Sequence, residues 1–331
     1  MVQDDFGIIE LAMKSIKPCV LATIIHVEGT AYLKEGTSML FFEDGSKMGL
    51  ISPGCLEEDL SHRAQEVLKN GMSHTVMYDL KITDEETWEL EMGCGGTLYI
   101  LLEPVNKRLK GHLQQVHEQL SMGREVLHLK KLNGDFQVES SGYFANAEKY
   151  FGDNDREHLA YQKKGTQSGT DLSDFVFSHV FTPRKRLFVF GAGEDARPLV
   201  ELAAQIGFSV MVCDWRESLC NERHFPKAEQ CLLGFPHDIF QRIHFRQEDY
   251  VIVMTHNLFR DQEIVAFLLD QKLTYLGILG STERIQRLLG QRQIPSWVSA
   301  PIGLAIGARG ATEIAVSILA ELISIKRGHH S

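Results

Sequence analysis

The sequence predicts an α/β protein in which a C-terminal Rossmann-like parallel-sheet domain follows an N-terminal mixed α+β domain. Three observations predict it. From residue 183 onward, apolar runs of strand length alternate with helical periods, the pattern of a parallel sheet with crossover helices. The first of those runs leads into a glycine-rich turn, Gly191-Ala192-Gly193-Glu194-Asp195-Ala196. Residues 19–104 instead set several β-rich runs around one helical period. At 331 residues the chain is long enough for more than one core. The expected boundaries are 1–105 for the N-terminal domain, 106–182 for an intervening α+β segment and linker, and 183–331 for the Rossmann-like domain.

Taken in order, CVLATIIHV (residues 19–27) is rich in β-branched residues, and TSMLFF (37–42) and KMGLI (47–51) follow across glycine-containing turns, so each is expected to be a strand. From 55 to 70 the period becomes helical. Leu56, Leu60, Ala64, Val67 and Leu68 share a face, Pro53-Gly54 precede it and Gly71 lies just past its end. Strands are expected again at 74–79 and 97–103, a helix at 107–122, and short strands over 124–150. From about 151 to 173 the chain is polar and aperiodic, which reads as a surface connection. After the basic Arg184-Lys185-Arg186 come LFVF, a helix, FSVMVC, CLLGF, YVIVM, a helix, YLGIL and a helix. A last helix, entered through Gly303, Gly307 and Gly310 and closing at Lys326-Arg327-Gly328, is expected to turn Ile314, Ile318, Leu319, Leu322 and Ile323 into the core.

Composition narrows the function. With 34 basic and 44 acidic residues the net charge is −10, which argues against a grip on nucleic acid through phosphate neutralisation. Apolar runs such as 20–25 fall far short of the ~20 residues that span a bilayer, so no membrane span is expected. The cysteines, Cys19, Cys55, Cys94, Cys213, Cys220 and Cys231, are scattered, with no C-x-x-C pair and no C-x4-C-x2-C run. Zinc ribbons and iron–sulfur modules are thereby set aside. The opening residues show neither a basic n-region nor an apolar core, so a cytoplasmic setting with free thiols is expected.

The residues that carry chemistry form several groups. Gly191 permits a tight turn, Gly193 lets the backbone approach a pyrophosphate, Ala196 keeps helix close to strand, and the N–H groups at the helix start offer an anion site. Asp214, ending the second strand, stands where a ribose-binding acid belongs. Glu194 and Asp195 add negative charge that opposes an anionic ligand. Gly280-Ser281 follows a later strand, with Ser281 placed to cap the helix TERIQRLL. Gly303 and Gly307 mark either a second cradle for a phosphate or a pterin, or a merely tight connection. His256, after the strand YVIVM, is a candidate general base or cofactor contact. Cys55 sits at a helix start, where the dipole favours a thiolate suited to a metal, while Glu57 and Glu58 push the other way. Cys94, in Gly93-Cys94-Gly95-Gly96, is a second candidate, whereas Cys19, Cys213 and Cys231 lie in or beside strands and read as core.

SPGCLEEDL at 52–60, GCGGTLYILLEP at 93–104, the block GAGEDARPLVELAAQIGFSVMVCDWR, and the series MTHNLFRDQE, YLGILGSTER and PIGLAIGARGATEIAVSILAE together resemble the XdhC/CoxI family, accessory proteins of xanthine dehydrogenase and related molybdenum hydroxylases. The resemblance implies a homodimer that binds the molybdenum cofactor, as molybdopterin or its dinucleotide form. It implies that the cofactor is shielded while a cysteine desulfurase exchanges oxo for sulfur, and is then passed to an apo-hydroxylase. It assigns the cofactor-binding cysteine, a possible molybdenum contact, to Cys55. Glu57, Cys94, Gly191, Gly193, Ala196, Asp214, His256, Gly280, Ser281, Gly303 and Gly307 complete the expected cofactor-binding set. The chain departs from the family pattern at Pro53, at Gly29 to Leu33, at Glu194 and at Ala305. A chaperone rather than a catalyst is implied, since xanthine oxidation by the chain itself would need iron–sulfur ligands that its cysteine spacing lacks. The alternative from another class is an NAD-dependent oxidoreductase built on the Rossmann block.

Overall fold

In the computed structural model, which describes residues 4–52, 54, 56–80, 96–145, 149–153, 168–172, 175–290 and 294–326, the chain divides into two units, Met1–Pro183 and Arg184–Ser331. Cys55 and Cys94 lie outside the described residues.

The first unit opens with α1 (Asp5–Lys14), whose N-cap Asp4 accepts from the Gly7 N–H and whose Ile8, Ile9 and Ala12 are buried. Strands β1 (Cys19–Glu28), β2 (Ser38–Phe42), β3 (Lys47–Gly49), β4 (His74–Asp79) and β5 (Thr97–Pro104) form an antiparallel sheet in the order β3-β2-β1-β5-β4. Alternation along β1 divides the packing: Val20, Ala22 and Ile24 face one cluster, Cys19 and Leu21 another. Onto the first cluster α2 (Glu57–Asn70) lays Leu60, Ala64 and Val67, and it ends at Gly71 in the left-handed region, φ 68°.

A second antiparallel sheet follows α3 (Lys107–Ser121). Its strands are β6 (Val126–Leu132), β7 (Val138–Ala145), β8 (Lys149–Gly152), β9 (Gly169–Asp171) and β10 (Val176–Phe181), in the order β8-β7-β6-β10-β9. The stretch expected to be a surface connection is therefore bounded by strands. Phe151 in β8 is buried and its ring stacks parallel on Tyr143, centroids 5.1 Å apart. Apolar content, not polarity of the neighbouring residues, decided that end. Helix α1 and strand β10 are present beyond the expected elements.

In the second unit β11 (Lys185–Phe190), β12 (Phe208–Asp214), β13 (Gln230–Leu233), β14 (Tyr250–Val253), β15 (Tyr275–Ile278) and β16 (Val298–Ser299) form a parallel sheet in the order β13-β12-β11-β14-β15-β16. This is the Rossmann order, reversing direction between β11 and β14. One core, under α4 (Ala196–Gln205) and α8 (Gly310–Lys326), holds Leu199, Val200, Ile318 and Leu322. The other, under α5 (Pro236–Arg242), α6 (Leu258–Leu268) and α7 (Thr282–Leu289), holds Ile239, Ile264 and Ile285. The short α5 and β16 were not anticipated. Ile323, expected in the core, is 41% exposed: α8 is apolar on several sides and only one stripe meets the sheet, where Ala315 and Ser317 are buried instead. Among the described residues no helix is long and apolar enough to cross a membrane.

Candidate functional site

Where a parallel sheet reverses its strand order, crossovers leave in opposite directions and open a crevice at the carboxyl ends of the strands. Here that point lies between β11 and β14, and the turn after β11 is the glycine-rich one. Gly191 adopts φ 123°, donates its N–H to the Cys213 carbonyl at 2.9 Å, and stands so close to β14 that a Cβ would strike the Met254 carbonyl oxygen. Gly191→Ala thus meets a wrong φ and a backbone clash together. It is expected to cost about 1–3 kcal/mol, read as a lowered midpoint in chemical unfolding.

The next residue, Ala192, donates its N–H to Asp214 Oδ2 at 2.7 Å. Beyond it, the N–H groups of Gly193, Glu194 and Asp195 meet no acceptor among the described residues, while the Ala196 N–H turns back to the Gly193 carbonyl at 3.1 Å. Helix α4 has no side-chain cap: the Asp195 carboxylate pairs with His256 Nε2, 2.7 Å away, the Arg197 N–H turns back to the Glu194 carbonyl at 3.4 Å, and Pro198 has no N–H to offer. An uncapped row of N–H groups at the positive end of a helix is the arrangement that binds a phosphate. The two acids expected to oppose it are both paired, Asp195 with His256 and Glu194 with Arg197 at 2.8 Å. Glu194 is also 77% exposed, so water screens most of its charge.

Asp214 works inward. Its side chain is wholly buried, and its oxygens accept from Ala192 N, from Arg216 N and Nε at 2.9 Å each, and from Arg216 Nη2 at 2.7 Å. Burial raises the Asp214 carboxyl, but the Arg216 guanidinium and the N–H donors of Ala192 and Arg216 outweigh it and hold the group below its usual range. Its oxygens are spent on fixing the loop. His256 takes a left-handed φ of 60° at the end of β14, and its ring is mostly exposed.

Neighbouring turns on the same sheet edge are tied to this one. Ser281 caps α7, accepting from the Arg284 N–H at 3.3 Å. Arg284 Nη2 donates at 2.6 Å to the buried Asp261, which also accepts from Thr255 Oγ1 at 2.5 Å, linking the turn after β15 to that after β14. Gly280 has φ 158° and leaves no room for a Cβ beside Arg284. Gly303 has a packing reason: its N–H donates to Glu321 Oε2 at 2.7 Å, and a Cβ would press on Ser317 Oγ. Gly307, at φ 74°, has open space around it. The structure therefore gathers Gly191, Gly193, Ala196, Asp214, His256, Gly280 and Ser281 along one edge of the parallel sheet, whereas Gly303 packs on the last helix and neither it nor Gly307 is tied to that loop.

Glu57 belongs to the first unit. It lies in the first turn of α2, with Oε2 accepting from Lys47 Nζ at 3.1 Å and Oε1 buried without a partner among the described residues. The described cysteines are poor thiolates. Burial pushes the Cys19 thiol up to about 11 and Cys220 up to about 12, and raises Cys213 and Cys231 as well. Trp215, Arg216, Phe235 and Arg260, absent from the residues expected to carry chemistry, cluster beside the loop. The available signal was the pair Trp215-Arg216 directly after the strand-ending acid.

Comparison with known proteins agrees with this architecture. Residues 187–322 match the XdhC Rossmann domain, 12–79 the XdhC and CoxI family, and 107–182 the BH1974-like central domain. The chain is 37% identical over 325 residues to a Bacillus subtilis (strain 168) protein described as a probable xanthine dehydrogenase subunit, covering 96% of both chains. It is 26% identical over 325 residues to the molybdenum cofactor insertion chaperone PaoD of Escherichia coli (strain K12), covering 95% of this chain and 86% of that protein. A crystal structure described as a xanthine dehydrogenase from Bacillus halodurans superposes with a TM-score of 0.88 at 42% identity, over 98% of this chain and 96% of the other.

Proposed function

Because the chain belongs to the XdhC and CoxI family, we propose that it binds the molybdenum cofactor, protects it and inserts it into an apo-hydroxylase of the xanthine dehydrogenase type. The observation that carries this reading is the uncapped N–H row of Gly193, Glu194 and Asp195 at the strand-order reversal. The cofactor is a pterin dithiolene ending in a phosphate or a nucleotide, so its anionic end fits backbone donors at a helix start. The loop acids that would repel it are engaged, Glu194 by the Arg197 guanidinium and Asp195 by a hydrogen bond with His256. Cys55 supplies the soft thiolate for molybdenum, one residue before the N-cap of α2. The buried, protonated thiols of Cys19, Cys213 and Cys220 support that choice by being unsuited to the role. The cofactor is cargo here: the dithiolene holds the metal, and the chain's own part is to bind, orient and exclude oxidant. In this reading the chain works as a homodimer, with a cysteine desulfurase supplying the sulfido ligand before transfer.

Anaerobic purification of the full chain from cells that make the cofactor, followed by metal and pterin analysis, tests the reading. Molybdenum and pterin are expected to co-elute with the chain in matching amounts. A chain that carries neither under these conditions refutes it.

A further inference from the structure

Beside the glycine-rich turn, the carboxyl ends of β12, β13 and β14 expose an aromatic and cationic cluster that the phosphate cradle does not use. Trp215 follows β12, Phe235 precedes α5, and Phe259 and Arg260 lie in the first turn of α6. The rings of Trp215 and Phe235 are parallel within 8°, with centroids 6.5 Å apart. Arg260 Cζ stands 4.7 Å from the Phe235 centroid, 5.4 Å from that of Phe259 and 5.9 Å from that of Trp215, and Arg216 Cζ stands 5.0 Å from Trp215. Phe235 and Phe259 remain 47% and 68% exposed. Water gains nothing from such a surface, and grouped exposed aromatics mark a binding face.

The guanidiniums are only partly spent. Arg216 gives Nε and Nη2 to Asp214, and Arg260 gives Nη1 to Glu263 at 2.9 Å. Arg216 Nη1 and Arg260 Nε and Nη2 have no acceptor among the described residues. Of the nearby acids, Asp214 and Glu263 are already paired with these same arginines, and Asp195, whose charge also acts on Arg216, is hydrogen-bonded to His256. Free, planar charge-assisted donors lying over aromatic faces suit a ligand with a flat ring and an anionic group on the same small molecule. Bases stack on aromatic side chains and on guanidinium planes alike. The surface also begins where the cradle ends, since Asp214 takes the Ala192 N–H and Trp215 is the next residue.

We propose that Trp215, Phe235, Arg216 and Arg260 bind a nucleoside monophosphate moiety, its base lying on the rings and its phosphate reaching the guanidiniums and the adjoining loop. The proposal rests on the reading of this sheet edge as the ligand-bearing one and adds a second part to the ligand. That moiety comes either with the dinucleotide form of the cofactor or as a free nucleotide.

Titration calorimetry and tryptophan fluorescence on the full chain test it, using cytidine, guanosine and adenosine monophosphates, the matching nucleosides and inorganic phosphate. At least one monophosphate is expected to bind and quench fluorescence, with its nucleoside about 10-fold weaker or more. Trp215→Ala and Arg260→Gln should each weaken binding by about 10-fold or more. Trp215 is half-buried, so if Trp215→Ala melts below the parent, Arg260→Gln decides. The proposal is overturned if no monophosphate binds, or if the correctly folded variants bind as the parent does. Molybdenum and pterin content of the same preparations separates the two readings. Cofactor without nucleotide binding overturns only the base surface; nucleotide binding without cofactor overturns only the cofactor reading. Nucleotide released by acid from cofactor-loaded chain identifies the dinucleotide form as the source, and its absence identifies a free nucleotide.

Discussion

Lys130→Met is expected to lower the stability of the first unit by about 3–5 kcal/mol, a fall of roughly 10 °C in the midpoint of its thermal transition. Lys130 in β6 and Glu103 in β5 form an ion pair that joins the two antiparallel sheets, and their side chains are 3% and 10% exposed. The attraction of such a pair roughly offsets the cost of taking both charges out of water, so the intact pair adds little on balance. Removing one partner is different, because the desolvation cost of the other is left without its Coulombic return. The surroundings do not relieve Glu103. The nearby Tyr143 phenol is buried without a partner among the described residues, and burial, with the Glu103 charge adding to it, pushes its pKa well above the usual value. The double variant Lys130→Met with Glu103→Leu is therefore expected to recover most of the loss. Calorimetry on the full chain checks both results, since the second unit contains neither residue and its transition should stay in place. A single variant that melts with the parent would show that this buried pair is not coupled as the structure has it.

What the sequence discloses about this molecule follows the distance over which each feature is determined. Strand β1 and helix α2 are legible because their burial pattern is written in consecutive residues, with Gly71 terminating the helix through its own left-handed φ. Strand β10 is not, because VFSHVF becomes a strand by pairing with β6 about fifty positions earlier, and polar residues flank it. The glycine-rich turn is legible as a chemical motif, with Gly191 read as a tight turn, but the close approach that Gly191 makes to β14 is not, because Met254 lies about sixty positions further on. The fate of the charges around the turn is not legible either. Whether Asp195 opposes an anion depends on His256, and whether Asp214 is free depends on Ala192 and Arg216. Asp195 and His256 are 61 positions apart in the chain, and only the sheet order brings them together.

Cys55→Ala is expected to reduce molybdenum and pterin retained through anaerobic purification to background, with the circular dichroism and melting temperature unchanged. A thiolate is the soft ligand that molybdenum favours, and a sulfur just ahead of a helix is stabilised as the anion by the orphan N–H groups there. Helix α2 keeps donors of its first turn available, since the apolar side chain of its N-cap Leu56 accepts no hydrogen bond and Ser52 Oγ takes only the Leu56 N–H, at 3.2 Å. Against this, Glu57, Glu58 and Asp59 load the first turn with negative charge, of which Lys47 answers Glu57 at 3.1 Å and Arg63 answers Asp59 at 2.6 Å. The balance makes two further variants informative. Glu57→Gln removes one of those charges and should lower the pH at which Cys55 reacts with an alkylating agent, while Cys19→Ala, at a thiol pushed up to about 11 by burial, should leave cofactor content unchanged. Loss of cofactor in Cys55→Ala but not in Cys19→Ala ties retention to one thiolate rather than to the cysteine content of the chain. Full retention in Cys55→Ala would move the metal contact to another residue and leave the phosphate cradle at Gly193 to Asp195 as the main hold on the ligand.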